Sequence, residues 1–218
     1  MDNSRMSQEP ETAAVPDKQT LRRHLRAQRR SLAPQRDREA DANAIASAAG
    51  AFLDTLSLPS PPPGATGDHS TYGWRPCVAI YRSLPTEPPT QALASMLHAR
   101  GVAVIVPEML DDMDLDWHEL RADGKEGPAL GPKAIGTALV ILTPALAVDH
   151  NGTRLGQGGG CYDRALTRRR PDAIVVAIVN DQEYAAWPLP RDPHDVRVHA
   201  VITPGSGLMP IAGGGSAT

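Results

Sequence analysis

Beyond Asp17 the chain repeats at helical spacing: Leu21, Leu25, Gln28 and Leu32 fall on one side, with Asp17 placed as N-cap. The opposite side carries Lys18, Arg22, Arg23, Arg26, Arg29 and Arg30, which reads as a solvated cationic face. A second helix is predicted after Pro34, presenting Ala44, Ile45, Ala48, Phe52, Leu53 and Leu56. A short apolar run, Cys77–Tyr81, leads through a turn to a helix over Thr90–Ala99, with Gly101 where a C-terminal cap belongs. Val102–Val106, Leu139–Thr143 and Ile174–Val179 are further buried strands. Strands that are continuously apolar and alternate with helices predict an α/β fold, its mostly parallel sheet covered on both faces.

Leu58 to Gly73 breaks this pattern with a Pro- and Gly-dense stretch, read as a surface insertion at 58–73. Residues 1–16 read as an N-terminal tail, 17–204 as one α/β domain, and 205–218 as a flexible C-terminal tail. With only 4% aromatics, the core must be built from Ala, Val, Leu and Ile. Lys and Arg total 22 against 25 Asp and Glu, a net charge of −3 that argues against a protein whose main work is coating nucleic acid. The two cysteines, Cys77 and Cys161, exclude a disulfide framework and a Cys-rich zinc site. The polar start does not resemble a signal peptide, and no run approaches the roughly 18 apolar residues of a membrane span. A cytoplasmic protein that binds neither membrane nor nucleic acid is expected, with monomer as the default.

Ligands of such sheets collect at the C-terminal ends of strands. Leu139–Thr143 runs into PALAVDHNGTRLGQGGGCYDRAL, the densest signal in the chain. Gly156, Gly158, Gly159 and Gly160 allow close backbone approach to a bulky anion, and the helix starting near Tyr162 would turn free N–H groups toward it. Arg154 adds a forked cation suited to phosphate oxygens. A Walker A loop would need a Lys that is missing here. A dinucleotide pattern aligned on Gly156 would need Gly where Cys161 stands, although Asp181 or Glu183 lies at the spacing of a ribose-binding acid. A dinucleotide-dependent oxidoreductase is thereby weakened but stays open, and the loop is read as some other nucleotide cradle.

RLGQGGGCYDR (Arg154 to Arg164), preceded by PALAVDHNG (Pro144 to Gly152), resembles the signature of the 5-formyltetrahydrofolate cyclo-ligase, or methenyltetrahydrofolate synthetase, family. Three smaller pieces fall in that family's order. Lys18-Gln-Thr-Leu21-Arg22 is similar to its Lys-x-x-x-Arg element, Glu87-Pro-Pro-Thr90 to its Glu-x-x-Thr segment, and His194-Asp195 to its closing His-Asp element. The resemblance spans nearly everything from about residue 17 to 204.

What the resemblance implies is a three-layer α/β/α sandwich that converts 5-formyltetrahydrofolate to 5,10-methenyltetrahydrofolate, cleaving ATP to ADP and phosphate with Mg²⁺. Lys18 and Arg22 would meet ATP phosphates. Arg154, Leu155, Gly156, Gln157, Gly158, Gly159, Gly160, Cys161 and Tyr162 would wrap the nucleotide. Arg154 and Tyr162 would stand nearest the chemistry, and Glu87 with Tyr162 would bind the folate. Asp163 and Asp195 would hold Mg²⁺, a hard cation that prefers carboxylate and water oxygen. The chain departs from the family pattern at Cys161, in place of a tyrosine, and at Val148, in place of a phenylalanine. Ala145 stands for a glycine, Gly131 for the Glu of a Glu-Pro pair, and His199 near a usual aspartate. Cys161 and His199 keep open a second reading, a non-catalytic nucleotide- or folate-binding relative.

Overall fold

The computed structural model describes residues 17–56 and 75–212. The expected N-terminal tail, the 58–73 insertion and the last residues of the expected C-terminal tail lie outside them. The helices are α1 (Lys18–Leu32), α2 (Arg38–Thr55), α3 (Gln91–Ala99) and α4 (Cys161–Leu166). The strands of the larger sheet are β1 (Cys77–Ala79), β2 (Ala103–Met109), β3 (Leu115–Leu120), β4 (Glu126–Ala129), β5 (Val140–Pro144), β8 (Ile174–Ile178), β10 (Ala200–Thr203) and β11 (Gly207–Pro210). Between them in sequence, β6 (Ala147–Asp149), β7 (Arg154–Leu155) and β9 (Tyr184–Ala185) form a second, three-stranded sheet.

The eight-stranded sheet runs β11-β10-β8-β5-β1-β2-β3-β4. Its five central strands are parallel, and antiparallel strands finish both edges. Side chains of the central strands alternate between two cores, which is why these strands read as unbroken apolar runs. Val78, Val104, Leu142 and Val176 face α2 and α3 with Ile45, Leu53, Leu93 and Leu97. Ala79, Ile105, Ile141 and Ala177 face α4, the 3-10 turn Pro132–Thr137 and the fully buried Trp117. The predicted parallel α/β sandwich is the observed one.

Asp17 caps α1 as expected, its carboxylate accepting from the Gln19 and Thr20 amides at 2.9 and 3.0 Å. Gly101 takes the left-handed conformation (φ +71°) just past α3, where a side chain would be strained. Two expectations change. Residues 207–210 are not part of a tail but form β11, paired with β10 from Ala200–Pro210 to Thr203–Gly207. The buried stripe of α1 is Leu21, Leu25 and Arg29, whereas Gln28 is exposed. Leu21 and Leu25 pack on the small sheet in a third core with Leu146, Leu155 and Leu189, so α1 is docked against the strands that lead into and out of the glycine-rich loop.

Candidate active site

Tyr81, Met109 and Pro144, at or just past the C-terminal ends of β1, β2 and β5, open onto a cleft of about 760 Å³. Its walls include every residue singled out from sequence: Lys18, Arg22, Glu87, Arg154 through Tyr162, Asp163 and Asp195. The parallel sheet delivers the strand ends, and the small sheet with α1 forms the facing wall.

The glycine-rich loop leaves β7 and enters α4 through Gly160, which sits at the N-cap position with φ +69°. With no capping side chain there, the first N–H groups of α4 keep no intrahelical partner. Gly158 has φ +109°, a conformation closed to other residues without strain. The loop is held from outside by α1. Arg22 Nε donates to the Gly156 carbonyl at 3.0 Å, and Arg26 donates to the Gln157 side chain at 2.8 Å and to its carbonyl at 2.5 Å. Of the cationic face of α1, Lys18 and Arg22 line the cleft and Arg29 is buried, while Arg23 and Arg30 stay exposed to solvent.

Arg154 is nearly fully buried and donates to Asp163 Oδ1 at 2.6 Å, with its guanidinium 5.8 Å from the centre of the Tyr162 ring. The Tyr162 hydroxyl is buried without a hydrogen-bond partner among the described residues. Burial pushes its pKa far upward against the opposing pull of Arg154, so the phenol stays protonated and can donate. Cys161 begins α4 at intermediate exposure and lines the same cleft.

Lys18 Nζ donates to Asp192 Oδ2 at 2.7 Å and to Asp195 Oδ2 at 2.5 Å. Burial opposes the charge on Asp195, but the bonds from Lys18 and the Asp192 amide outweigh it and hold the carboxyl below its usual range. Asp192, His194 and Asp195 place ligand atoms within 4.8 Å of one another, a group that does not include Asp163. Asp163 Oδ2 and Asp195 Oδ1 accept no hydrogen bond among the described residues. Each of these two carboxylates keeps one hard oxygen unbonded, the donor type that Mg²⁺ prefers, and both residues line the cleft.

Glu87, lining the same cleft, is buried, with Oε2 accepting from the Leu84 amide at 3.0 Å. Burial raises its pKa, the Leu84 amide and Arg29 lower it, and Glu183 raises it. Tyr81, beside it, donates to the Pro88 carbonyl at 2.7 Å. Sequence reasoning missed Asp192, placed Arg29 on a solvated face, and offered Glu183 only as a possible ribose-binding acid, whereas it pairs with Arg29. Arg29 stands one residue past the Leu21–Leu25–Gln28 stripe, and only the phase of the helix against the small sheet distinguishes a buried position from a solvated one. His199 does not line the cleft; its Nδ1 accepts from the Val175 amide at 2.9 Å in the sheet, and burial lowers its pKa. That departure from the family pattern therefore bears on the sheet and not on the site.

A family model described as the 5-formyltetrahydrofolate cyclo-ligase family matches residues 69–204. The chain belongs to that family. It is 37% identical over 147 residues to a 5-formyltetrahydrofolate cyclo-ligase of Mycolicibacterium smegmatis, an alignment covering 61% of this chain and 75% of the relative. The fold is shared with a 5,10-methenyltetrahydrofolate synthetase of Aquifex aeolicus, at TM-score 0.63 and 21% identity over 91% of this chain and 95% of the other. It is also shared with one from Mycoplasma pneumoniae, at TM-score 0.64 and 17% identity over 85% and 98%. Among the described residues no helix is long and apolar enough to cross a membrane.

Proposed function

We propose that this cyclo-ligase family member converts 5-formyltetrahydrofolate to 5,10-methenyltetrahydrofolate, with ATP cleaved to ADP and phosphate and with Mg²⁺ required. The observation that carries the reading is one cleft lined by two kinds of chemistry. A glycine-walled loop and the cations Lys18 and Arg22 suit polyphosphate, and a buried carboxylate, Glu87, suits the N–H groups of a pterin. A binder of nucleotide alone would have no use for the buried carboxylate.

The formyl oxygen is a poor leaving group, so it first attacks the γ-phosphorus of ATP and ADP departs. The neighbouring N10 amine then attacks the formyl carbon, N10 gives up its proton, and the oxygen leaves as phosphate. Phosphoryl transfer asks mainly for alignment and charge neutralisation. Arg154, fixed by Asp163, presents a forked cation where charge gathers on the transferred group. Arg22 holds the loop in a shape that keeps its amides toward the phosphates. Tyr162 donates its hydroxyl toward the reacting end of the folate. Lys18 adds positive charge at the phosphate end while orienting Asp195. Asp163 and Asp195 would hold Mg²⁺, which supplies further neutralisation of phosphate charge when bound. The enzyme is read as a cytoplasmic monomer that engages these two small molecules and neither nucleic acid nor membrane.

Near-UV absorbance tests the reading, because the methenyl product is conjugated across its new ring and the formyl substrate is not. Growth of the band only when 5-formyltetrahydrofolate, ATP and Mg²⁺ are all present is expected. No growth with all three, while ATP still raises Tm, would leave a nucleotide-binding relative without turnover.

A further inference from the structure

Arg29 is the one charged residue that α1 buries. Its Nε donates to Glu183 Oε1 at 2.6 Å and its Nη2 to Oε2 at 2.7 Å, a forked pair. Nη2 also donates to the carbonyl of Ala145, a residue of the cleft wall. The third corner of the guanidinium, Nη1, is buried with no hydrogen-bond partner among the described residues, and lies 3.7 Å from Glu87 Oε1. That separation is too long for a hydrogen bond, yet in a buried site the attraction across it is several times what water would leave.

We propose that Arg29 is a positioning residue for the formylated substrate: anchored by Glu183 and Ala145, it keeps the Glu87 carboxylate ionised and set as an acceptor for paired N–H donors. The proposal rests on the cyclo-ligase reading for the identity of that substrate. A purely structural Arg29–Glu183 pair would have no reason to leave Nη1 unbonded and turned to a second carboxylate. Around Glu87 the facing groups are Arg29 from α1, Glu183 from the turn after β8, and the phenols of Tyr81 and Tyr162. Arg38 reaches the same segment but grips the Glu87 main-chain carbonyl, at 2.9 Å. Arg29 is thus the only cation that meets the carboxylate itself among the described residues. Burial favours the protonated acid, and Arg29 outweighs Glu183 in opposing this. Without Arg29 only the Leu84 amide would still oppose the upward pull of burial, and a protonated carboxyl would offer a donor where the ligand needs an acceptor.

Replacing Arg29 alone strands Glu183 as a buried charge, so the test uses both Arg29→Gln and the neutralised pair Arg29→Gln/Glu183→Gln, each purified as the full chain. The expected result for the pair is a KM for 5-formyltetrahydrofolate raised about tenfold with the KM for ATP within about twofold. Calorimetric affinity for the folate without ATP should weaken by a similar factor. The acid limb of kcat/KM for the folate should move toward neutral pH. In a Glu87→Gln background, adding the pair should change the folate KM by less than about twofold, because the group being positioned is gone. Equal rises in both KM values, an unmoved acid limb, or full additivity with Glu87→Gln would each overturn the proposal while leaving an active wild type in place. A wild-type chain that forms no methenyl product would overturn the cyclo-ligase reading and this one with it.

Discussion

The Lys18 ammonium donates to the Asp195 carboxylate at 2.5 Å, joining residues 177 positions apart in the chain. The link ties the start of α1 to the segment before β10, where both residues line the cleft. Its two partners titrate in opposite directions. Asp195 lies below its ordinary value in the folded protein, so its contribution is fully present above about pH 4 and is lost as pH falls through the folded value. For Lys18, burial acts against the charge, but Asp192 and Asp195 outweigh it and raise the pKa. Its contribution is full below about pH 10.4 and is lost as pH rises through the folded value.

Lys18→Met should therefore lower Tm by roughly 2–4 °C across the neutral range. The gap to wild type should close only at the acid extreme, below the ordinary aspartate range, or at high alkaline pH. The KM for ATP is expected to rise about tenfold. Melting curves against pH decide it: a gap that persists unchanged at about pH 2 would mean that the pair contributes nothing.

Gly158→Ala tests the cradle. At φ +109° an alanine is strained by about 1–3 kcal/mol, and its methyl would sit 3.5 Å from the Arg22 guanidinium. The loop should relax to another shape, so kcat/KM for ATP is expected to fall at least about tenfold with Tm nearly unchanged. A variant of full activity would show that the phosphates do not rest on this turn.

Asp163→Asn keeps the side chain's size and an oxygen able to accept from Arg154, but removes the negative charge beside a buried guanidinium. We expect turnover to fall by about a hundredfold or more and Tm to drop by a few degrees. Mg²⁺ dependence measured at saturating ATP separates the roles. An unchanged Mg²⁺ requirement with full activity would remove Asp163 from the metal and from the reaction.

Tyr162→Phe deletes a buried hydroxyl that has no partner among the described residues. Such a deletion is neutral or stabilising by about 1 kcal/mol, since the unmet polar group is removed. The prediction is a Tm equal to or above wild type together with a fall in kcat/KM for 5-formyltetrahydrofolate. Unchanged kinetics would show that the hydroxyl does not touch the substrate.

The sequence carried four strands of the large sheet, β1, β2, β5 and β8, because parallel strands buried on both faces leave unbroken runs such as Val140–Ile141–Leu142, and it missed β3, β4, β10 and β11. It carried the small sheet poorly. Arg154–Leu155 and Tyr184–Ala185 are two-residue strands whose pairing depends on tertiary placement, with no local period to read. The glycine motif marked the cleft directly, since its residue types are demanded by backbone shape. Asp192 and Glu183 gave no such mark, because ordinary turns are equally rich in acids. Arg29 was hidden most completely. Six basic residues share one short helix, and nothing in their spacing tells which of them will find a carboxylate from 154 residues downstream.

The helix that holds the cleft shut has a core of its own, Leu21 and Leu25 against Leu146, Leu155 and Leu189, apart from the two cores of the large sheet. Its hydrogen bonds to the rest of the domain fall on segments made well after it: Ala145, Gly156 and Gln157, Glu183, then Asp192 and Asp195. During synthesis α1 must wait for nearly the whole domain before it can clasp anything, so the working enzyme appears only as the final strands set. On heating the order should reverse, with the clasp releasing before the sheet melts. Loss of activity is then expected several degrees below loss of far-UV ellipticity, and coincident curves would show that α1 and the sheet melt as one unit.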